Sequence, residues 1–268
     1  MKFFLVLILL LGSCFVNALA ETKVTIKDTG NYLKMTNGSP YDYHVDKNDV
    51  FRLVDKSNQL MMLGTLTGIS LERINIVYDV GLGMGCLPRF LLHEKGNNVE
   101  IIYSTDKNVD SIIKFGKAFK KHIQPKIPDE QDLKHKKIPT EGEELVTKGF
   151  MKGVQFNLVW LDVLDETFDL KNDEIFKQRF FEIVGERLLK TDGIMVIALH
   201  NANLEKLVEL KTFSLMGSAI HLTFNQESVE KNFSVLVLGS KVNCDNVPNA
   251  YKKLSNSLDI KLPFCKNI

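Results

Sequence analysis

Charge of one sign is what this chain most lacks: 34 lysines and arginines stand against 33 aspartates and glutamates in 268 residues. That balance gives no footing for nucleic acid as a partner. Long apolar runs are missing as well. The one clear stretch, residues 3–11, is shorter than the ~20 residues a membrane-spanning helix needs, so no stable membrane anchor is expected. Cysteine is scarce, with four in all, and no Cys/His spacing resembles a zinc site. No Ser, His and Asp can be tied together as a nucleophilic triad from their spacing.

What the N-terminus does have is Lys2, the short apolar run and the small-residue site Ala18-Leu19-Ala20. This pattern reads as a secretory signal peptide over residues 1–20, so the mature chain is expected to be secreted or lumenal. Two glycosylation sequons, at Asn37 and Asn232, fit that route. Cys14 lies in the signal. Cys244 and Cys265 sit in the polar tail and are placed to close a disulfide that ties it down. Cys86 falls in the first turn of an expected helix and reads as a packing residue.

The most informative stretch is Asp79-Val80-Gly81-Leu82-Gly83-Met84-Gly85, which follows the apolar run at residues 74–78. A buried strand there runs into a glycine-rich turn carrying one carboxylate. Glycines permit positive φ and close backbone approach, and the helix that follows aims free N–H groups at a polar ligand. The spacing is G-x-G-x-G, not the G-x-G-x-x-G of dinucleotide sites, and favours S-adenosylmethionine (SAM) as the nucleoside-type ligand.

Ahead of the turn, residues 50–54 and 60–63 flank a polar run and predict a β-hairpin. After it come a helix at 87–95, a strand at 99–103 and helical spacing at 109–121. The lysine- and proline-rich stretch 120–137 predicts a long surface loop. Then follow a strand at 156–162 ending in Asp162, a helix at 173–190 stopped by Thr191-Asp192-Gly193, and a buried strand at 194–199. A helix at 204–210 and strands at 219–224 and 233–238 complete the order. The expected fold is α/β: a doubly wound, mostly parallel sheet with an antiparallel terminal strand pair and a small N-terminal β-hairpin element.

Residues 77–91 (V-Y-D-V-G-L-G-M-G-C-L-P-R-F-L) and 156–199 resemble the spermidine-synthase-like branch of the SAM-dependent methyltransferases, a Rossmann-like fold. The resemblance covers about residues 49–240. It divides the chain into the signal at 1–20, an N-terminal β element at 21–70, a methyltransferase-like domain at 71–240 and a tail at 241–268. It implies SAM or decarboxylated SAM as cofactor, with Asp79, Gly81, Gly83 and Gly85 lining its methionine part. Glu141-Gly142 looks like the acid–glycine pair that receives the adenine amino group. The family ends its second strand with an acid, two residues before an Asp, that grips the ribose hydroxyls. Here Ser104 stands at the acid's place and Asp106 at the second, which leaves the ribose contact open between them.

Asp162 and Asp165 retain the two acids of the D-S-S-D segment of polyamine enzymes, where the first would orient or deprotonate an attacking amine and the second hold its cationic remainder. The proline–glycine gate after that segment and the tyrosine–glutamine segment before the glycine turn are absent, and so is an N-P-P-Y acceptor motif. Three readings stay open. The chain is an exported methyltransferase-like protein with weak or lost catalysis, an aminopropyltransferase, or a non-catalytic binding protein; its acceptor would be a protein or an amine.

Overall fold

The computed structural model describes residues 25–36, 43–94, 96–106, 116–118, 120–140, 142–147, 153–164, 178–200, 216–224, 233–254 and 256–268. The expected signal peptide, the sequons at Asn37 and Asn232, Glu141, Asp165, the helix at 204–210 and most of the helix at 109–121 lie outside them.

The described residues begin with a three-stranded antiparallel sheet of β1 (Thr25–Asp28), β2 (Tyr32–Thr36) and β3 (Tyr43–Asp46). Leu33, Met35 and Val45 alternate along it and are buried, so one face points inward. This is the small N-terminal β element, at a different place from the expected hairpin. Residues 56–68, which include the second strand of that hairpin, instead form helix α1 (Lys56–Gly68). The apolar run Leu60–Leu63 is buried on every side, between β-strands and a later helix, so it shows no one-faced periodicity. Asp55, just before α1, does not cap it. Its carboxylate instead accepts from the backbone N–H of His44 at 2.9 Å and pairs with His44 Nδ1 at 2.9 Å, tying β3 to the helix start.

Among the described residues the main sheet has eight strands. They are β4 (Ile76–Val80), β5 (Ile101–Thr105), β6 (His135–Ile138), β7 (Phe156–Leu164), β8 (Leu189–His200), β9 (Ala219–Thr223), β10 (Phe233–Gly239) and β11 (Phe264–Asn267), in the order β11-β9-β10-β8-β7-β4-β5-β6. The pairs from β6 through β8 are parallel, and β10, β9 and β11 join antiparallel. Chain order runs outward from β4 to β6 in one direction and from β7 to β8 in the other. The switch between β4 and β7 opens a crevice at their carboxyl ends, where open α/β sheets take ligands.

Further helices among the described residues include α2 (Cys86–His93), α3 (Asp129–Leu133), α4 (Gly142–Thr147), α5 (Gln178–Ile183), extended by a π-helical turn (Val184–Leu188), and α6 (Val247–Leu254). Apolar clusters cover both faces of the sheet. One gathers Leu60, Met62, Trp160 and Val196, and the other Phe156, Phe180, Val184 and Ile197. Alternation along each strand feeds both, which makes the fold doubly wound. Trp160 pins α1 to β7 by donating from Nε1 to Thr65 Oγ1 at 2.9 Å.

Three further expectations change. The supposed loop at 120–137 contains α3 and the edge strand β6. The stop at Thr191-Asp192-Gly193 is part of β8, which starts at Leu189. The tail holds α6 and the outermost strand β11, so the antiparallel edge has three strands and not two. The Cys244–Cys265 disulfide is formed. No helix among the described residues is long and apolar enough to cross a membrane.

Candidate functional site

β4 delivers Asp79 to the crevice and then turns sharply. Gly81, Gly83 and Gly85 have φ of 98°, 50° and 63°, a region that side-chain-bearing residues rarely enter. The N–H groups of Gly81 and Leu82 donate to Thr105 O at 2.9 and 3.1 Å, and that of Gly85 to Leu82 O at 2.7 Å. The turn is thereby fixed to the end of β5 while its outer face stays open.

Arg89, one turn into α2, is buried and braces this turn from behind. Its Nη1 donates to Met84 O at 2.6 Å, Nε to Val50 O at 3.1 Å and Nη2 to Cys86 Sγ at 3.5 Å. Burial draws its pKa down from the usual arginine value. The Cys86 thiol, which reaches His44 O at 3.5 Å, is pushed up to about 11 by burial. A thiol that stays protonated is no nucleophile at neutral pH, and Cys86 packs.

The parallel register sets Asp79 opposite Ser104. Ser104 Oγ lies 2.6 Å from Asp79 Oδ2 and 2.7 Å from His135 Nε2, and all three side chains are buried. Burial raises the Asp79 pKa to about 8. The Ser104 hydrogen bond opposes the rise, and the nearby Asp162 and Asp106 carboxylates add to it. Burial, with Lys137 and Arg89 nearby, holds His135 well below the usual imidazole value. This is no hydrolase triad, because the hydroxyl sits between acid and imidazole.

Ser104 is therefore committed to an internal chain, whereas Asp106 lies just past the end of β5, only partly buried. On the other side Asp162, two residues beyond the Trp160 that pairs with Asp79, lines a cleft with Tyr43, Asn58, Asp79, Gly81 and Gly83. Leu82, Met84, Cys86, Leu87 and Pro88 complete the lining, so no basic side chain faces it among the described residues. Such a cleft attracts cations. No group of His, Cys, Asp and Glu among the described residues is suited to a metal ion.

Glu141 lies outside the described residues, but its neighbour Gly142 is anchored at the carboxyl ends of β4 and β5. Tyr78 Oη donates to Gly142 O at 2.6 Å, and a Cβ there would fall 2.5 Å from Val80 Cγ1. The structure thus brings together the glycine turn, Asp79 and Asp162, with Asp106 nearby. Sequence reasoning missed Arg89, although it lies within the quoted segment 77–91, and also His135, Tyr43 and Asn58, which lie outside any local motif.

No protein-family profile matches this chain, and no curated protein matches it by sequence. Solved structures do resemble it. A probable spermidine synthase from Corynebacterium glutamicum ATCC 13032 superposes with a TM-score of 0.65 at 12% identity, over 91% of this chain and 87% of that one. Human methyltransferase-like protein 13, solved in complex with SAH, gives 0.55 at 14% identity over 76% and 92%. Spermidine synthase from Thermotoga maritima gives 0.52 at 14% identity over 90% and 80%. At such identities the likeness shows the fold, which is the Rossmann-like SAM-methyltransferase fold in the form shared with spermidine synthases.

Proposed function

We propose that this chain is an exported, methyltransferase-like protein of the spermidine-synthase-like branch that binds SAM in the cleft above the glycine turn. The observation that carries this reading is the pair Asp79 and Asp162, facing a cleft with no basic side chain among the described residues and lined by Gly81 and Gly83, two glycines of positive φ. A sulfonium and an ammonium suit that field, and the turn leaves room for a main chain or ligand to approach closely. Asp106 is the acid placed for ribose hydroxyls, and Gly142 anchors the loop for the adenine end. When bound, SAM supplies an electrophilic methyl carbon on its sulfonium. Asp162 then orients an acceptor and holds its proton, in a catalysis that is weak or lost.

Export rests on the signal-like residues 1–20, and the Cys244–Cys265 bond supports it, since such bonds persist in oxidising compartments. A second reading, aminopropyl transfer from decarboxylated SAM, draws on the same lack of basic side chains among the described residues of the cleft, because a ligand without a carboxylate needs none.

Calorimetric titration with both nucleosides tests the reading. SAM binds in the micromolar range, Gly83→Val abolishes binding and Asp79→Ala weakens it by about 1.5–3 kcal/mol, the scale of a hydrogen bond to a charged group. Valine does not suit the φ of 50°, and beyond a Cβ in ordinary contact with the Tyr43 ring at 3.6 Å its methyl groups would occupy the space above the turn that the ligand needs. Binding that survives both changes places the ligand elsewhere. Preference for the decarboxylated form selects aminopropyl transfer.

A further inference from the structure

We propose that Asp79, Ser104 and His135 form a proton-coupled ligand contact, in which a cationic group entering the cleft is received by Asp79 only as the chain gives up one proton. The proposal rests on the SAM-binding reading above and adds how the site admits its ligand.

Two short contacts, 2.6 Å from Asp79 to Ser104 and 2.7 Å from Ser104 to His135, each require one proton. Ser104 brings one. The second belongs either to Asp79, as the neutral acid, or to Nε2 of His135. The surrounding charges decide between them. Toward Asp79 face Asp106 beyond β5, Asp162 from β7, the neutral Cys86 thiol from α2 and the Tyr43 phenol from β3. The nearby cations, Arg89 from α2 and Lys137 from β6, act on His135 instead. Acids around a buried carboxyl keep it protonated, and cations around a buried imidazole keep it neutral. Without ligand, Asp79 donates to Ser104 Oγ and Ser104 donates to Nε2, with the imidazole proton on Nδ1.

A cation in the cleft reverses the balance at Asp79. Its O–H bond breaks as a new one forms at Ser104 Oγ, the former Ser104 proton bonds Nε2, and the Nδ1 proton passes to water. The products are a carboxylate, a hydroxyl donating to it and a neutral imidazole. The exit is at His135, which is 9% exposed against 2% for Asp79 and 0% for Ser104. His135 is thus a positioning residue: by accepting from Ser104 it lets Ser104 accept from the acid.

The test is calorimetry of the full chain with SAM at pH 6.5, in buffers of small and large ionisation enthalpy, where the ligand amine is still protonated. Wild type releases close to one proton per SAM, and its affinity rises about tenfold per pH unit between pH 5.5 and 7. 5′-Methylthioadenosine, which lacks the amine, releases none. His135→Leu removes the acceptor, so Ser104 turns to donate to Asp79; proton release shrinks and the pH dependence flattens. A variant that had merely lost packing would keep the wild-type proton count. Asp79→Asn binds weakly without proton release. In the infrared, the ligand-free protein shows a protonated-carboxyl band that Asp79→Asn lacks and SAM removes. SAM binding without proton release, or absence of that band, overturns the proposal. Failure of SAM to bind overturns the SAM-binding reading, and the band in the ligand-free protein then decides the state of the chain.

Discussion

Asp79 and His135, two links of one buried chain, pull stability in opposite directions with pH. Asp79 ionises near pH 8 in the folded protein against ~3.9 when unfolded, so its contribution is fully present below pH 4 and lost as pH rises toward 8. His135 ionises well below its usual range, so its contribution is present above about pH 6.5 and lost on acidification through the folded value. Asp79→Asn keeps the shape of the neutral acid and removes only the first effect. The melting temperature of this variant relative to wild type should therefore climb between pH 4 and 8 and level off beyond. The rise corresponds to about 1.4 kcal/mol for each pH unit crossed, and a difference that is flat with pH contradicts a buried protonated Asp79. Asp79 and its glycines are legible in the sequence because strand, turn and helix are consecutive. Ser104 meets His135 across 31 residues, and Arg89 meets Val50 across 39, so no local pattern announces either contact.

Helix α1 shows how burial on all sides misleads a reading of periodicity. Glycines let it lie close against the sheet: a Cβ on Gly64 would sit 2.9 Å from Val237 Cγ2 and 3.2 Å from Val235 Cγ1. Gly64→Ala is a useful probe because two effects compete. Alanine favours a helix interior by about 1 kcal/mol over glycine, while overpacking a tight core costs about 1–3 kcal/mol. The contact distances make overpacking the larger effect, so the variant should be destabilised in urea unfolding; a stabilised variant would show that α1 has slack. The central strands β4, β5, β7, β8 and β10 were readable from apolar, β-rich runs. Both sheet edges were not. β6 is His-Lys-Lys-Ile and β11 is Phe-Cys-Lys-Asn, short strands bearing lysine, and the features that protect a sheet edge from unwanted pairing also erase its hydrophobic signature.

At the scale of the whole molecule, the C-terminal segment closes one end of the sheet, and a covalent bond secures it. Cys244 precedes α6 and Cys265 lies in β11, with 21 residues of separation. A loop of that size is worth about 3 kcal/mol through restriction of the unfolded chain. The Cys244→Ser, Cys265→Ser double variant should lose roughly that much in chemical unfolding, and an unchanged midpoint would mean that β11 holds by pairing alone. In secreted material, mass spectrometry should find Glu21 at the N-terminus together with the linked Cys244–Cys265 peptide. A retained Met1 would refute the export reading. Buried Cys86 should resist alkylation until the fold opens. The fold class was legible because alternating strands and helices specify it. The resemblance had grouped Asp79, Asp106 and Asp162 around one ligand, and the register of β4 beside β5 and β7 supplies the physical reason they lie near one another.

The bond from Trp160 to Thr65 also gives the molecule a built-in optical reporter. The chain has a single tryptophan, wholly buried on β7, where α1 meets the middle of the sheet. Its emission comes from one site, so a shift to longer wavelength records water reaching that seam and nothing else. Fluorescence can therefore time the separation of α1 from the sheet, while circular dichroism follows the backbone as a whole.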